Sequence, residues 1–569
     1  MGAKRGSFTL PGNHLSINGF LLGVGLLAWA LISDGGWTRV ATLLVLGLSA
    51  AYLLFRLVGL PSPRHLTRLW RFSNGDCLTV RKDHEMAVAR KAPKYVTPAA
   101  FRQAVQDGKK WTIINGSVYD LAGLIEDGKH PGGDFLADFV GIDSSLTFYT
   151  AHVKQESVWR RLRVSWMGYL VPDVGEDTSD LMCSRDKAMH SLIDEFAAED
   201  LFAYPLRFWL WDMSGPLLVL CSFLAAHWCI QGRVAPSSLN WPVYVASILA
   251  GSLGYLLVQY LCHDAGHQSV FVTKERARRF CKWFAVISGG VDWSEGAVVH
   301  DVHHAFPHVL GRDKSLDTTP LIYWHPAQLV DASLDTLSRA RGFAAATAGC
   351  LWFCVILWLY CPLEVARSLV EAARRKGGAL CFGTIVLRLL APFGLMVHFG
   401  ASVHYALWPM MVQEVGFVLL ALCASLNHFA FDAITVQEFQ AVTHQTAAPE
   451  HAIQMQGFVA HQAGITQNHN IVALEHGLHG LGGLGAGAEG KAPSGILMLA
   501  LVGSYDAVLS FWTGHFNYHI EHHLMPYMPR RNLPKAAARC RALCGEQLYA
   551  SASHAEGLAM FVNKLSRPF

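Results

Sequence analysis

Histidines recur in three tight groups. His519-Ile520-Glu521-His522-His523 places imidazoles at i, i+3 and i+4, and on a helix such residues share one face within reach of a single metal centre. His300-Asp301-Val302-His303-His304 repeats the spacing, and His263-Asp264-Ala265-Gly266-His267 places two histidines at i and i+4. Imidazole is a ligand of intermediate softness that suits iron, zinc, copper and nickel. These histidines outnumber the four donors that satisfy a structural zinc ion, so the pattern predicts two metals. Carboxylates are scarce beside them. The groups contain only Asp264, Asp301 and Glu521, and the Glu-x-x-His pairs of soluble di-iron bundles are missing. An all-imidazole two-metal centre is expected.

A second metal chemistry is written at His130-Pro131-Gly132-Gly133, a histidine in a tight turn. His152 follows after the aromatic pair Phe148-Tyr149. Two such imidazoles can be the axial ligands of one haem, leaving no open position for O₂.

These groups sit in a chain built for a membrane. Of its 569 residues 52% are hydrophobic and only 16% charged, outside the usual soluble range. The net charge of +3 gives no reason to expect a nucleic-acid partner, and the basic residues cluster beside apolar runs, as membrane proteins arrange them. The 13 cysteines lack paired spacing. Many of them, such as Cys221, Cys229, Cys350, Cys354 and Cys423, fall inside apolar runs, so they read as free buried thiols.

Residues 1–72 are expected to form a transmembrane hairpin from the runs 17–33 and 37–60. Lys4, Arg5, Arg64, Arg68 and Arg71 put both its ends in the cytosol. Residues 94–172 read as a small mixed domain with a short strand at Trp111–Asn115, and 173–204 as a linker with an amphipathic helix near Leu192–Leu201. A membrane domain, 205–569, follows, with apolar runs at 206–230, 241–262, 343–361, 379–399 and 403–427 and a Gly-rich insertion at 477–494. The first two runs return the chain to the cytosol at His263. An even number of crossings must then separate His304 from His519, so the run 379–399, with Arg388 and Pro392 inside it, is expected to lie at the interface or re-enter. Arg374, Arg375 and Lys376 conflict with that topology, since it places them on the lumenal side. The fold expected is mainly α, a multi-pass helical membrane core capped by the histidines, with a small α+β haem domain.

Two resemblances join these readings. Val118-Tyr119-Asp120-Leu121, His130-Pro131-Gly132-Gly133 and Gly168-Tyr169-Leu170 resemble a cytochrome b5 domain, which implies that His130 and His152 hold haem b. His263–His267 with Gln268-Ser269-Val270-Phe271, His300–His304 with Pro307 and Asp313, and Gly514 to Pro526 continuing to Arg530 resemble the membrane fatty-acid desaturases. The closest group is the cytochrome b5-fused front-end desaturases. Asn427-His428 also matches a position where that family carries a ligand. By position, the resemblance implies that His263, His267, His300, His303, His304, His428, His522 and His523 hold two non-haem irons, with His519 beside them as a further metal residue. It implies an O₂-dependent oxidoreductase that inserts a cis double bond on the carboxyl side of an existing one, of the delta-4, delta-5 or delta-6 type. The substrate would be a long polyunsaturated acyl chain carried on CoA or phospholipid. Electrons would come from NADH-cytochrome b5 reductase through the haem, with the protein among the lipids of the endoplasmic reticulum and its haem and histidines facing the cytosol. Alternatives that use the same iron pair are a sphingolipid long-chain-base desaturase and an acyl hydroxylase. A membrane metal transporter or haem electron carrier is the non-enzyme alternative, although transporters bind at the bilayer midplane and these groups lie at the ends of apolar runs.

The chain departs from the front-end pattern in three places. His519 replaces the usual Gln, Glu295-Gly296 replaces an aromatic pair, and His308 replaces Asn. His398, His404, His461, His469, His476 and His479 lack the group spacing and are expected to be structural. Tyr255, Trp293, Gln462 and Thr466 are not assigned to a site.

Overall fold

The computed structural model describes residues 79–560, apart from the segments 231–238, 318–323, 329–364, 429–431, 444–456, 470–512 and 553–559 and some shorter gaps. The expected N-terminal hairpin, the apolar run 343–361, Arg375, Lys376 and the Gly-rich insertion lie outside the described residues. So do Pro131, Gly132, His476 and His479.

The haem-domain region begins with helix α1 (Thr79–Ala89), strand β1 (Tyr95–Val96) and helix α2 (Pro98–Gln106). Thr97 caps α2 by accepting a hydrogen bond from the Ala100 amide, and Pro98 stands in its first turn, a favourable start for a helix. Strands β2 (Trp111–Ile114) and β3 (Ser117–Asp120) pair antiparallel across Asn115-Gly116. Both turn residues have positive φ, 51° and 66°, as a two-residue turn of type I′ requires. Helix α3 (Ser145–His152) ends on the second candidate haem ligand, α4 (Glu156–Ser165) follows, and β4 (Trp166–Leu170) completes a sheet of order β1-β4-β3-β2. Trp159, Tyr119, Tyr149 and Leu162 fill the core.

Helix α5 (Ser184–Ala198) starts earlier than the amphipathic pattern predicts. The reason lies elsewhere in the chain: Asp186 in its first turn accepts from the amides of Phe458 and Val459, both at 2.9 Å.

The membrane core follows. Helices α6 (Leu206–Asp212) and α7 (Ser214–Ile230) make the first of four segments, among the described residues, long and apolar enough to cross a membrane. The second is α8 (Trp241–Gly266), which Asn240 caps by accepting from the Val243 amide. α9 (Lys274–Gly289) and α10 (Trp293–Ala305) lie beyond it. The third and fourth segments, Cys381–His398 and Val403–Leu420, belong to α11 (Ala379–His398) and α12 (Val403–His428). α11 is long and apolar enough for a full crossing. It turns Leu387, Phe393 and Val397 outward, as a lipid-facing helix does. α8 and α12 run parallel: Tyr244 bonds the His404 carbonyl near one end, and Gly251 and Gly416 admit Trp408 and Tyr255 further along. Both helices therefore deliver their C-terminal histidines, His263 and His428, to the same end of the core.

The remaining short elements close over that end. They are α13 (Val436–Thr443), α14 (Gly457–Gly464), β5 (Asn468–His469), α15 (His519–Leu524), α16 (Leu533–Cys544) and β6 (Ser551–Ala552).

Candidate metal centre

Helix termini bring the histidines together. His263 and His267 come from the end of α8, His300, His303 and His304 from α10, His428 from the last residue of α12, and His519, His522 and His523 from α15. Gly514 lets the last group approach. Its φ is +57°, and a Cβ there would collide with the Tyr260 ring, so only glycine fits.

Two clusters result. The ring nitrogens of His263, His267, His300, His304 and His522 lie within 4.8 Å of one another, as do those of His303, His428 and His523. His300 Nε2 stands 2.7 Å from His263 Nε2 and 3.2 Å from His304 Nε2. His428 Nε2 stands 2.7 Å from His519 Nε2, 3.0 Å from His523 Nε2 and 3.2 Å from His303 Nε2. A ring nitrogen carries one N–H or one lone pair, so a single Nε2 cannot hydrogen-bond three imidazoles. Nitrogens held about 2.1 Å from a shared ion lie roughly 3 Å apart when their bonds are at right angles. The donor spacing therefore fits metal ions, and the all-nitrogen donor set fits iron among others. Burial first, then the neighbouring imidazoles, pushes His300, His304, His522 and His523 well below the ordinary histidine value. They stand neutral, as a ligand must.

A surrounding layer orients the rings. Asp313 Oδ2 lies 2.9 Å from His303 Nδ1 and also accepts from the His308 amide, while its Oδ1 accepts from Ser315. Burial raises the Asp313 carboxyl, but His303 and these hydrogen bonds outweigh it and hold it at about 2. Gln462, on α14, places Oε1 2.9 Å from His523 Nδ1 and donates Nε2 to the His304 carbonyl at 2.9 Å. A ring that donates Nδ1–H to such a partner leaves the Nε2 lone pair for a metal. Asp301 lies 3.6 Å from His267 Nδ1. Glu521, buried in α15, accepts from Asn468 at 2.9 Å and from the Tyr549 hydroxyl.

Sequence reasoning noticed Asp313 without giving it a role and left Gln462 unassigned. Gln462 lies on a separate helix far from every histidine group, so no local spacing points to it. A buried ion network was missed too. Arg530 pairs with Asp212 at 2.5 Å and Asp264 at 2.7 Å, and Arg531 with Asp212 at 2.8 Å. It ties α6 and the end of α8 to the segment after α15. Of the histidines expected to be structural, His461 is buried against Phe439, outside both clusters.

In the haem-domain region His130 and His152 face each other, with ring centroids 5.9 Å apart. Two imidazoles on opposite sides of one iron, each bound at about 2 Å, have centroids roughly 6 Å apart, so the pair fits an axial set. Burial, then the Lys274 ammonium, keeps both rings neutral, His152 down to about 3.

Residues 239–553, more than half of the chain, match the model of the family described as Fatty acid desaturase. The chain belongs to that family. Residues 97–171 match the Cytochrome b5-like Heme/Steroid binding domain, so this desaturase carries a fused haem-binding domain. Among its relatives, the Delta(8)-fatty-acid desaturase of Borago officinalis is 26% identical over 40% of this chain and 47% of its own length. For that relative the chain spans about half the length of the protein it matches. The Fatty acid desaturase 2-like protein FADS2B of Mus musculus is 21% identical over 78% of each chain. The Acyl-lipid (9-3)-desaturase of Physcomitrium patens is 22% identical over 80% of this chain and 74% of its own. All three relatives are named as desaturases. No solved structure matches the chain.

Proposed function

We propose that this desaturase is a di-iron, O₂-dependent enzyme that inserts a cis double bond on the carboxyl side of an existing one in a long polyunsaturated acyl chain. The convergence of nine imidazoles on two adjoining points carries this reading. His263, His267, His300, His304 and His522 would hold one iron, and His303, His428, His519 and His523 the other. Bound there, the irons supply activation of O₂ for removing hydrogen from an unactivated CH₂–CH₂ unit. The chain's own residues supply the rest. Buried neutral imidazoles bind, Asp313 and Gln462 fix which nitrogen each ring offers, and the apolar helices below keep the acyl chain from water. His130 and His152 would hold haem b and relay electrons from NADH-cytochrome b5 reductase.

The four apolar segments support an integral membrane protein. We place it in the endoplasmic reticulum with its histidine end in the cytosol, where reductase and acyl carriers, CoA or phospholipid, are at hand. The relatives' names, Delta(8) and (9-3), support regiochemistry near the carboxyl end.

The test is expression in a host fed defined polyunsaturated acids, followed by lipid profiling with double-bond location. A new double bond on the carboxyl side is expected. No new double bond from any feed, in protein loaded with haem and iron, would sink the reading.

A further inference from the structure

The haem-ligand pair and the histidine clusters are joined by side chains that neither metal site uses. Lys154, two residues past His152, is buried and donates Nζ to the Gln268 carbonyl at 2.8 Å, one residue past His267. Gln268 returns a bond from Nε2 to the Ala151 carbonyl at 3.4 Å. Lys274 begins α9 in the membrane domain. Its ammonium stands 3.7 Å from Asp301 Oδ2, and Asp301 Oδ1 stands 3.6 Å from His267 Nδ1. A second patch holds the same faces together. Asp138 accepts from Arg312 at 2.8 and 2.9 Å and from Gln440 at 2.9 Å, with the Arg312 guanidinium 4.6 Å above the Phe135 ring. Beneath it Phe139 and Ile142 pack on Phe306, Val309 and Phe439.

We propose that these contacts form a fixed electron-transfer dock, from which the haem domain serves the irons of its own chain without swinging free, and that Asp138, Arg312 and Lys154 are its positioning residues. This rests on the di-iron reading above. The apolar patch supplies area, and the paired charges supply register and discrimination. The step the dock serves is a one-electron exchange: haem iron is oxidised from ferrous to ferric and a non-haem iron is reduced from ferric to ferrous, with no bond made or broken. The reductase refills the haem. Tunnelling rates fall exponentially with distance, so a domain held in register outperforms one that samples many positions on a tether.

The test uses the full chain. Asp138→Arg sets two cations face to face, while Asp138→Arg with Arg312→Asp restores an ion pair of reversed sense. In Asp138→Arg, faster amide exchange over residues 135–154 and at least tenfold slower reoxidation of pre-reduced haem are expected, with both restored in the double variant. Unchanged exchange in Asp138→Arg, or faster exchange with reoxidation at the wild-type rate, would overturn the dock. So would double-bond formation when His130→Ala and His304→Ala chains are co-expressed but not when either is expressed alone, since that product requires transfer between chains. Wild-type protein inactive on every feed overturns the function proposed above, and the exchange measurements then still decide the dock.

Discussion

Replacing Arg530 with Met tests how the first cluster is held. The guanidinium is buried and bonds two carboxylates, Asp264 Oδ2 at 2.7 Å and Asp212 Oδ1 at 2.5 Å. Met keeps the aliphatic volume and removes the charge. Asp212 then keeps Arg531 at 2.8 Å and the Tyr204 hydroxyl, so most of the damage falls on Asp264, whose other contact is His263 Nδ1 at 3.4 Å. Leaving one member of a buried ion pair unpartnered costs about 3–5 kcal/mol. With Asp212 still served, the lower end applies, about 3 kcal/mol, or roughly a hundredfold in the folded-to-open ratio at 1.4 kcal/mol per decade. Large membrane proteins unfold irreversibly, so the assay is the rate at which detergent-solubilised protein loses its monodisperse peak at fixed temperature. Iron content is measured in the same samples. Arg530→Met should speed that loss by about a hundredfold and shed iron, because Asp264 neighbours His263. Adding Asp264→Asn removes the stranded charge, and the double variant should recover about 2 kcal/mol relative to the two single changes summed. If Arg530→Met decays within about twofold of wild type, or the double variant shows no recovery, the network does not hold the cluster and the reasoning fails.

Four further outcomes are expected. Asp313→Asn, which weakens the acceptor at His303 Nδ1, should lower iron affinity of the second cluster about 10- to 100-fold, read by titration with a competing chelator; unchanged affinity would deny Asp313 its orienting role. His519→Gln should keep iron at or near the wild-type ratio, because His303, His428 and His523 still lie within 4.8 Å of one another, while His428→Ala should lose one of the two irons, because His428 Nε2 is the nitrogen that meets His303, His519 and His523 together; metal analysis of both proteins decides. His130→Ala should abolish the haem absorbance and reductase-driven turnover and leave iron content intact, and turnover at the wild-type rate would exclude the fused haem as donor. Asp143 is pushed up to about 7 by burial, against the amide of Ser145 that donates to it. A raised carboxyl pKa stabilises the fold below about pH 4 and loses that contribution as pH rises toward 7, so Asp143→Asn should flatten the fall in haem-domain stability between about pH 4 and 7. The gain at pH 8 should be on the order of 2 kcal/mol, allowing for partial exposure. Equal pH slopes in thermal melts of the two proteins would refute it.

What the sequence made legible follows from locality. The three histidine groups and the Asn115-Gly116 turn are encoded within a few residues, where helix and hairpin geometry leave little freedom. Gln462, Arg530 with Asp212, and Lys154 with Gln268 are partners across 61, 318 and 114 positions, and no periodicity reports such pairs. The start of α5 was misplaced for the same reason, since Asp186 answers to two amides of α14.

One further feature was encoded locally and still went unread: how the histidines divide. Neighbours on a helix point about 100° apart, whereas residues four apart point nearly the same way. His300 and His304 therefore face one cluster and His303 the other. By the same rule His519 belongs with His523, and its Nε2 does stand 2.7 Å from His428, which His523 also meets. His522, rotated away, joins the cluster of His263 and His267. Each of these two helices straddles both points, so a small rotation of either one moves ligands at both together. The buried bonds of Glu521 and Gln462, one on each side of α15, oppose that rotation. The residue that departs from the front-end pattern, His519, therefore lies on the face that serves the second cluster, so its effect on the enzyme should be sought in that cluster's iron and not in the first.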